Sequence, residues 1–141
     1  MLDEAKKEGI ELFEVAIFVK KNETFLLLEN NLGPNRFFFD PVIGGIKEGE
    51  SLPIALERVL LEKVGLALKK VVKYIAFRDV SISSKKLRRY YFVVEVYDPE
   101  DLNLKEYHSY AWLELVDSVG YPVREDLREI LDLLIKIKEL L

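Results

Sequence analysis

Residues 44–66 read GGIKEGESLPIALERVLLEKVGL, and the organisation of the whole chain follows from them. Gly44, Gly45 and Gly49 punctuate a short polar loop that also carries Glu48 and Glu50. Ser51 then stands where a helix takes a hydroxyl N-cap, and Pro53 is tolerated because the first turn has no intrahelical partner for its N–H. Leu52–Val64 has helical spacing, and Gly65 is a natural C-terminal stop. The stretch is therefore a glycine loop feeding a helix that presents Arg58, Glu62 and Lys63.

On the N-terminal side, residues 3–9 suit a short helix. Ile10–Lys20 is rich in Phe, Val and Ile and predicts a buried strand. Lys21-Asn22-Glu23 is a turn, and Thr24–Glu29 closes a hairpin. Asn30–Asn35 contains Gly33-Pro34 and predicts a loop. Phe37–Phe39 is extended, because Pro41 disfavours helix at Asp40. On the C-terminal side, Val71–Phe77 predicts a strand and Ser81–Lys86 a polar loop. In Arg88–Tyr97, Tyr90, Phe92, Val94 and Val96 alternate, the pattern of a half-buried strand. Asp98–Leu104 is a loop and Tyr110–Leu113 a short strand. Pro122 opens a last helix whose stripe is Val123, Leu127, Ile130, Leu134 and Ile137. The order hairpin, loop, helix, hairpin, strand, helix points to a mixed α+β sandwich in one domain, residues 1–141.

Composition narrows the chemistry. With 141 residues, half of them hydrophobic and a third charged, the chain can bury a core without staples. It contains no cysteine, so disulfides, zinc–thiolate sites and thiol nucleophiles are excluded. One histidine, His108, excludes a site needing two. The 25 acids against 21 bases give a net charge of −4, which argues against a dedicated nucleic-acid binder. Lys85, Lys86, Arg88 and Arg89 nevertheless form a local basic cluster. No apolar run approaches the ~18 residues of a membrane helix, and the N-terminus does not resemble a signal peptide, so a cytoplasmic protein is expected. Abundant Lys and Glu with no Gln lean toward a thermophile.

The 44–66 stretch resembles the Nudix box, G-x5-E-x7-R-E-U-x-E-E-x-G-U, where U is aliphatic. Seven of its nine defined positions match: Gly44, Glu50, Arg58, Leu60, Glu62, Gly65 and Leu66. Val59 and Lys63 stand where the pattern has glutamate. Lys105-Glu106-Tyr107-His108 ahead of Trp112 is similar to the acid-then-Trp segment downstream of many such boxes. The resemblance implies a Nudix-like α/β/α sandwich, a mixed sheet flanked by helices. It also implies a pyrophosphohydrolase of nucleoside diphosphates linked to another moiety, with a nucleotide-type small molecule as partner and no membrane; a homodimer stays open.

The chemistry explains the pattern. Two like-charged phosphates must be held beside a water, and Mg²⁺ or Mn²⁺ neutralises them and polarises the phosphoryl oxygen. Hard carboxylates at i, i+3 and i+4 on one helix face supply the ligands. By this resemblance Glu62 and Glu106 are the metal and catalytic acids, while Gly44, Gly45, Glu50 and Arg58 brace the loop. Lys63, with Arg88 and Arg89, is the candidate phosphate-binding set. Val59 has no lone pair to offer. A lysine ~4 Å from a divalent ion costs on the order of several kcal/mol at an effective dielectric of ~20. The expectation is a scaffold that survives, with weak or lost hydrolysis: Mg²⁺ or Mn²⁺ if it turns over, no cofactor if it only binds a nucleotide or a partner.

Overall fold

A computed structural model describes residues 1–31, 37–105, 107 and 109–141. The chain opens with helix α1 (Leu2–Lys7) and runs through β1 (Leu12–Lys21), β2 (Thr24–Asn31), β3 (Phe37–Asp40) and β4 (Val42–Gly45). Helix α2 (Leu52–Val64) follows, then β5 (Ala67–Ile82), β6 (Lys85–Tyr97), β7 (Ser109–Leu113) and helix α3 (Glu125–Ile137). The loop expected from Asn30 lies outside the described residues from 32 onward, as do Glu106 and His108; Asn30 and Asn31 belong to β2. No helix among the described residues is long and apolar enough to cross a membrane.

The sheet is mixed. Its path is β3-β2-β1-β6-β5, with β4 also paired to β1 and β7 to β2. β1 and β6 run parallel, from Leu12↔Leu87 to Val19↔Val94, while the other pairs are antiparallel. Both tight hairpins turn through left-handed residues: Asn22 joins β1 to β2, and Ser83-Ser84 join β5 to β6. These conformations match the twist of two-residue hairpins.

Period-two alternation in the central strands divides the core. Val15, Ile17, Val19, Tyr90, Phe92 and Val94 face α2 and pack on Ala55, Leu56, Val59, Leu60 and Val64. Ala16, Phe18, Tyr91 and Val93 face the other way, onto Leu127, Ile130, Leu131 and Leu134 of α3. β6 is thus buried on both faces rather than one, because it is an interior strand with a helix layer on each side. The result is the α/β/α sandwich expected from the sequence.

Three local details differ from the expectation. β5 is 16 residues long and takes in flanks that the sequence left as loop. Register shifts at Leu68/Lys70, Val71/Lys73 and Tyr74/Ala76 insert an extra residue every three, so Val71, Tyr74 and Phe77 share one face. That spacing hides the strand from a period-two search, and the bulges also blunt an exposed edge. Val42–Gly45 forms β4, which takes in the first two glycines of what reads as loop, because it pairs with β1. The last helix begins at Glu125 rather than Pro122, since the Pro122 carbonyl accepts a hydrogen bond from Phe39 N at 2.9 Å.

Candidate functional site

Helix α2 begins and ends as its caps dictate. Ser51 Oγ accepts from Ile54 N at 3.4 Å, and Gly65 sits in the left-handed region with φ 67°. Gly65 N donates to Leu61 O and Leu66 N to Leu60 O, which satisfies the last carbonyls. The loop ahead of α2 is fixed from inside by Arg58. Its Nε donates to Glu50 Oε2 at 2.7 Å and its Nη2 to Glu50 Oε1 at 2.8 Å, a bidentate fork. Nη2 also donates to Gly45 O at 2.6 Å. Glu50 Oε1 accepts in turn from Lys47 N at 3.0 Å, closing the loop on itself. The Arg58 guanidinium holds the Glu50 carboxyl down at about 2, against an ordinary 4.5. Gly44, Gly45, Glu50 and Arg58 therefore come together at the loop-to-helix junction.

The two departures from the box have distinct placements. Val59 is 1% exposed and belongs to the core under α2. A Cβ on Gly44 would lie 2.7 Å from both Val59 Cγ1 and Cγ2, so β4 and α2 touch through this glycine. Position 59 is filled by packing and offers nothing to a cation. Leu61, two residues on, is about half exposed. Lys63 lines a cleft of about 320 Å³ with Glu14, Asn30, Asp40, Arg89 and Arg124.

Glu62 points along α2 to Arg58, whose Nη1 donates to its Oε2 at 2.9 Å. Among the described residues no group of three or more His, Asp or Glu side chains could hold a metal ion. Glu106, the second expected ligand, lies outside the described residues.

Arg88 and Arg89 do not form one basic surface. They are successive residues of β6, so their side chains leave on opposite faces. Arg88 donates to Asp79 at 2.7 and 2.9 Å and to Glu8 at 2.7 Å, tying α1 to the sheet. Its guanidinium lies over Phe77, 3.9 Å from the ring centroid. Arg89 is 6% exposed and takes Glu14 Oε1 through Nε and Nη2, both at 2.9 Å, and Asp126 through Nη1 at 3.1 Å. Lys85 and Lys86, at the hairpin, are exposed.

Two groups that line the cleft, Glu14 and Arg124, and one that braces its Arg89, Asp126, were passed over by the sequence reading. Glu14 interrupts the apolar run of β1 and points at Arg89. Arg124 precedes α3 and reaches Asp40, which is 4% exposed, at 3.1 Å. Asp126 lies in the first turn of α3. The available signal was a charge inside a strand otherwise destined for burial, at Glu14 and Arg89 alike.

No protein-family model matches the chain, and no curated protein matches it in sequence. Solved structures do match its architecture. The E. coli ORF135 protein superposes with a TM-score of 0.82 at 18% identity, covering 94% of each chain. The MutT protein from Methanosarcina mazei Go1 gives 0.72 at 19% identity, over 94% of this chain and 98% of that one. A NUDIX hydrolase from Nitrosomonas europaea gives 0.68 at 18% identity, over 89% and 88%. The chain has the Nudix fold. In Nudix terms, the scaffold positions of the box are occupied and engaged, while box position 59 is core and box position 63 is a cation facing the cleft.

Proposed function

We propose that this Nudix-fold chain binds a nucleotide-type ligand in the cleft beside α2, with weak or lost pyrophosphohydrolase activity. The observation that carries this reading is the pair of departures at Val59 and Lys63. One position is sealed into the core, and the other lines the cleft with Arg89 and Arg124. Lysine and arginine are the side chains that engage phosphate directly, lysine as a point charge and arginine as a fork. Phosphate binding by this set needs no metal. Residual turnover, where present, rests on Glu62 and Glu106 as the acids nearest the box pattern, with Mg²⁺ or Mn²⁺.

A panel of nucleotide sugars, dinucleoside polyphosphates, ADP-ribose and nucleoside triphosphates tests the proposal. Phosphate or mononucleotide release is measured with Mg²⁺ and with Mn²⁺, and binding is measured by calorimetry in EDTA. We expect binding in EDTA and release within about tenfold of the buffer blank. Rapid metal-dependent turnover that Glu62→Gln abolishes would overturn the reading.

A further inference from the structure

The helix layer over the α2 side of the sheet stops short of the β5 edge. Val71, Tyr74 and Phe77 of β5 pair with Val94, Phe92 and Tyr90 of β6. Those three partners belong to the core under α2 and are no more than 6% exposed. The Tyr74 ring lies 5.2 Å from Phe92 and the Phe77 ring 6.1 Å from Tyr90. Yet Val71, Tyr74 and Phe77 are themselves 36–42% exposed. One strand spacing, ~4.8 Å, separates covered side chains from open ones. The stripe runs alongside Tyr90–Val94 of β6, a length of ~13 Å.

Helix α2 has an apolar outer face of similar length. Ile54 and Leu61 are 58% and 49% exposed. Seven residues apart, they stand within ~20° of each other around the helix and ~10 Å apart along it. Their own sheet is out of reach, because Ala55, Leu56, Val59, Leu60 and Val64 fill the inner face. Single exposed apolar residues are ordinary. Here two apolar surfaces of matching length belong to one chain, and that chain cannot bring them together by itself.

We propose that the protein forms a two-fold dimer in which α2 of each copy lays Ile54 and Leu61 on the Val71–Tyr74–Phe77 stripe of the other. The two α2 helices then lie side by side in one layer between two sheets. Each has its inner face on its own sheet and its outer face on the partner's β5, the reciprocal contact that a two-fold axis requires. At the observed exposures each of these side chains has roughly 80 Å² left to bury, given the 150–250 Å² that a whole aromatic buries. Two copies together remove about 800 Å² of apolar surface. Apolar area is a little over half of an ordinary interface, so the full contact comes to about 1,400 Å², within the range of specific dimers. Charges of opposite sign border the two surfaces. Glu57 is exposed between Ile54 and Leu61, and exposed Lys86 shares its face of β6 with Tyr90. Lys63 stands ~160° around the helix from Leu61 and lines the cleft, so the contact leaves the cleft open.

Sedimentation equilibrium on the full chain across micromolar concentrations tests the dimer, and should give twice the chain mass. Tyr74→Lys and Leu61→Lys each put a charge into the contact from an exposed position. Each should raise the dimer dissociation constant about tenfold or more, with melting curves confirming that the variants fold. Cross-linking tests the exchange of helices directly, because the native chain has no cysteine. An equimolar mixture of Leu61→Cys and Tyr74→Cys chains should form a disulfide-linked dimer several-fold faster than either variant alone, and this result decides if the lysine variants do not fold. A monomer at every concentration, a dimer that Leu61→Lys leaves intact, or equal cross-linking in mixed and unmixed samples would overturn the proposal.

Discussion

Replacing Glu50 by Gln removes one charge from the loop clamp and leaves its shape, and the structure sets the size of the effect. Glu50 accepts three hydrogen bonds: two from the Arg58 fork at 2.7 and 2.8 Å and one from Lys47 N at 3.0 Å. Its carboxyl is held at about 2 rather than 4.5, mainly by the hydrogen bonds from Arg58. A shift of that size corresponds to ~3 kcal/mol at most. The Arg58 side chain is one-fifth exposed, so solvent screens part of this. We expect Glu50→Gln to cost about 2 kcal/mol at pH 7. For a chain of this length that is a fall of roughly 6–8 °C in Tm.

The pH dependence carries the sign. A carboxylate whose folded pKa is depressed stabilises the protein above its unfolded pKa, and the stabilisation is lost as pH falls through the folded value. The native chain should therefore lose its advantage over Glu50→Gln between about pH 5 and pH 2. Urea titrations followed by circular dichroism at pH 7, 5, 4 and 3 measure both curves. A difference under ~0.5 kcal/mol at pH 7, the scale of an ordinary surface substitution, or one that stays constant to pH 3, would refute the clamp as described.

Other outcomes follow from the same geometry. Gly44→Ala should cost about 1–3 kcal/mol by overpacking against Val59, whereas Gly45→Ala, whose Cβ would meet only Phe13 O at 3.9 Å, should stay within ~1 kcal/mol in urea melts. Combined with Val59→Ala, the Gly44→Ala cost should shrink by ~1 kcal/mol or more in a double-mutant cycle, and strict additivity would deny the contact. Val59→Glu buries a carboxylate in the α2 core and should cost ~3 kcal/mol or more by chemical denaturation. Lys63→Glu, at the cleft, should leave Tm within ~3 °C and weaken nucleotide binding in EDTA by about tenfold as read by calorimetry, a loss of one charged hydrogen bond.

The legible parts of the fold were those with local causes. Helix α2 ends where Ser51, Pro53 and Gly65 say it should, because caps act within one turn. The first hairpin is equally local, with Asn22 in the left-handed region. What could not be read depended on partners distant in sequence. β4 exists because Val42–Gly45 meets Glu14–Ile17, and the burial of both β6 faces follows from its parallel pairing to β1. The bulges of β5 turned a period of two into a period of three, which masks a strand. At the site, the box pattern identifies the Arg58–Glu50 clamp, since both residues belong to one short stretch. The cleft charges come from β1, β3, β6 and the start of α3, and no spacing rule joins those positions.

The charge balance at the box positions differs from that of the full family pattern. A box of the full family pattern would carry glutamate at 50, 59, 62 and 63 against one arginine, a net of −3, and that excess attracts a divalent cation. At the same pattern positions this chain carries Glu50 and Glu62 with Arg58 and Lys63, a net of zero. Arg58 is bonded to both glutamates, to Glu50 through both oxygens and to Glu62 through Oε2. The same economy holds across the cleft, where Arg89 answers Glu14 and Asp126, and Arg124 answers Asp40. Arg124 bonds Asp40 through Nη2, and Lys63 lines the same cleft. Glu14 and Asp40 of this cleft hold Arg89 and Arg124 in place, and Arg124 and Lys63 line it from two different helices' ends.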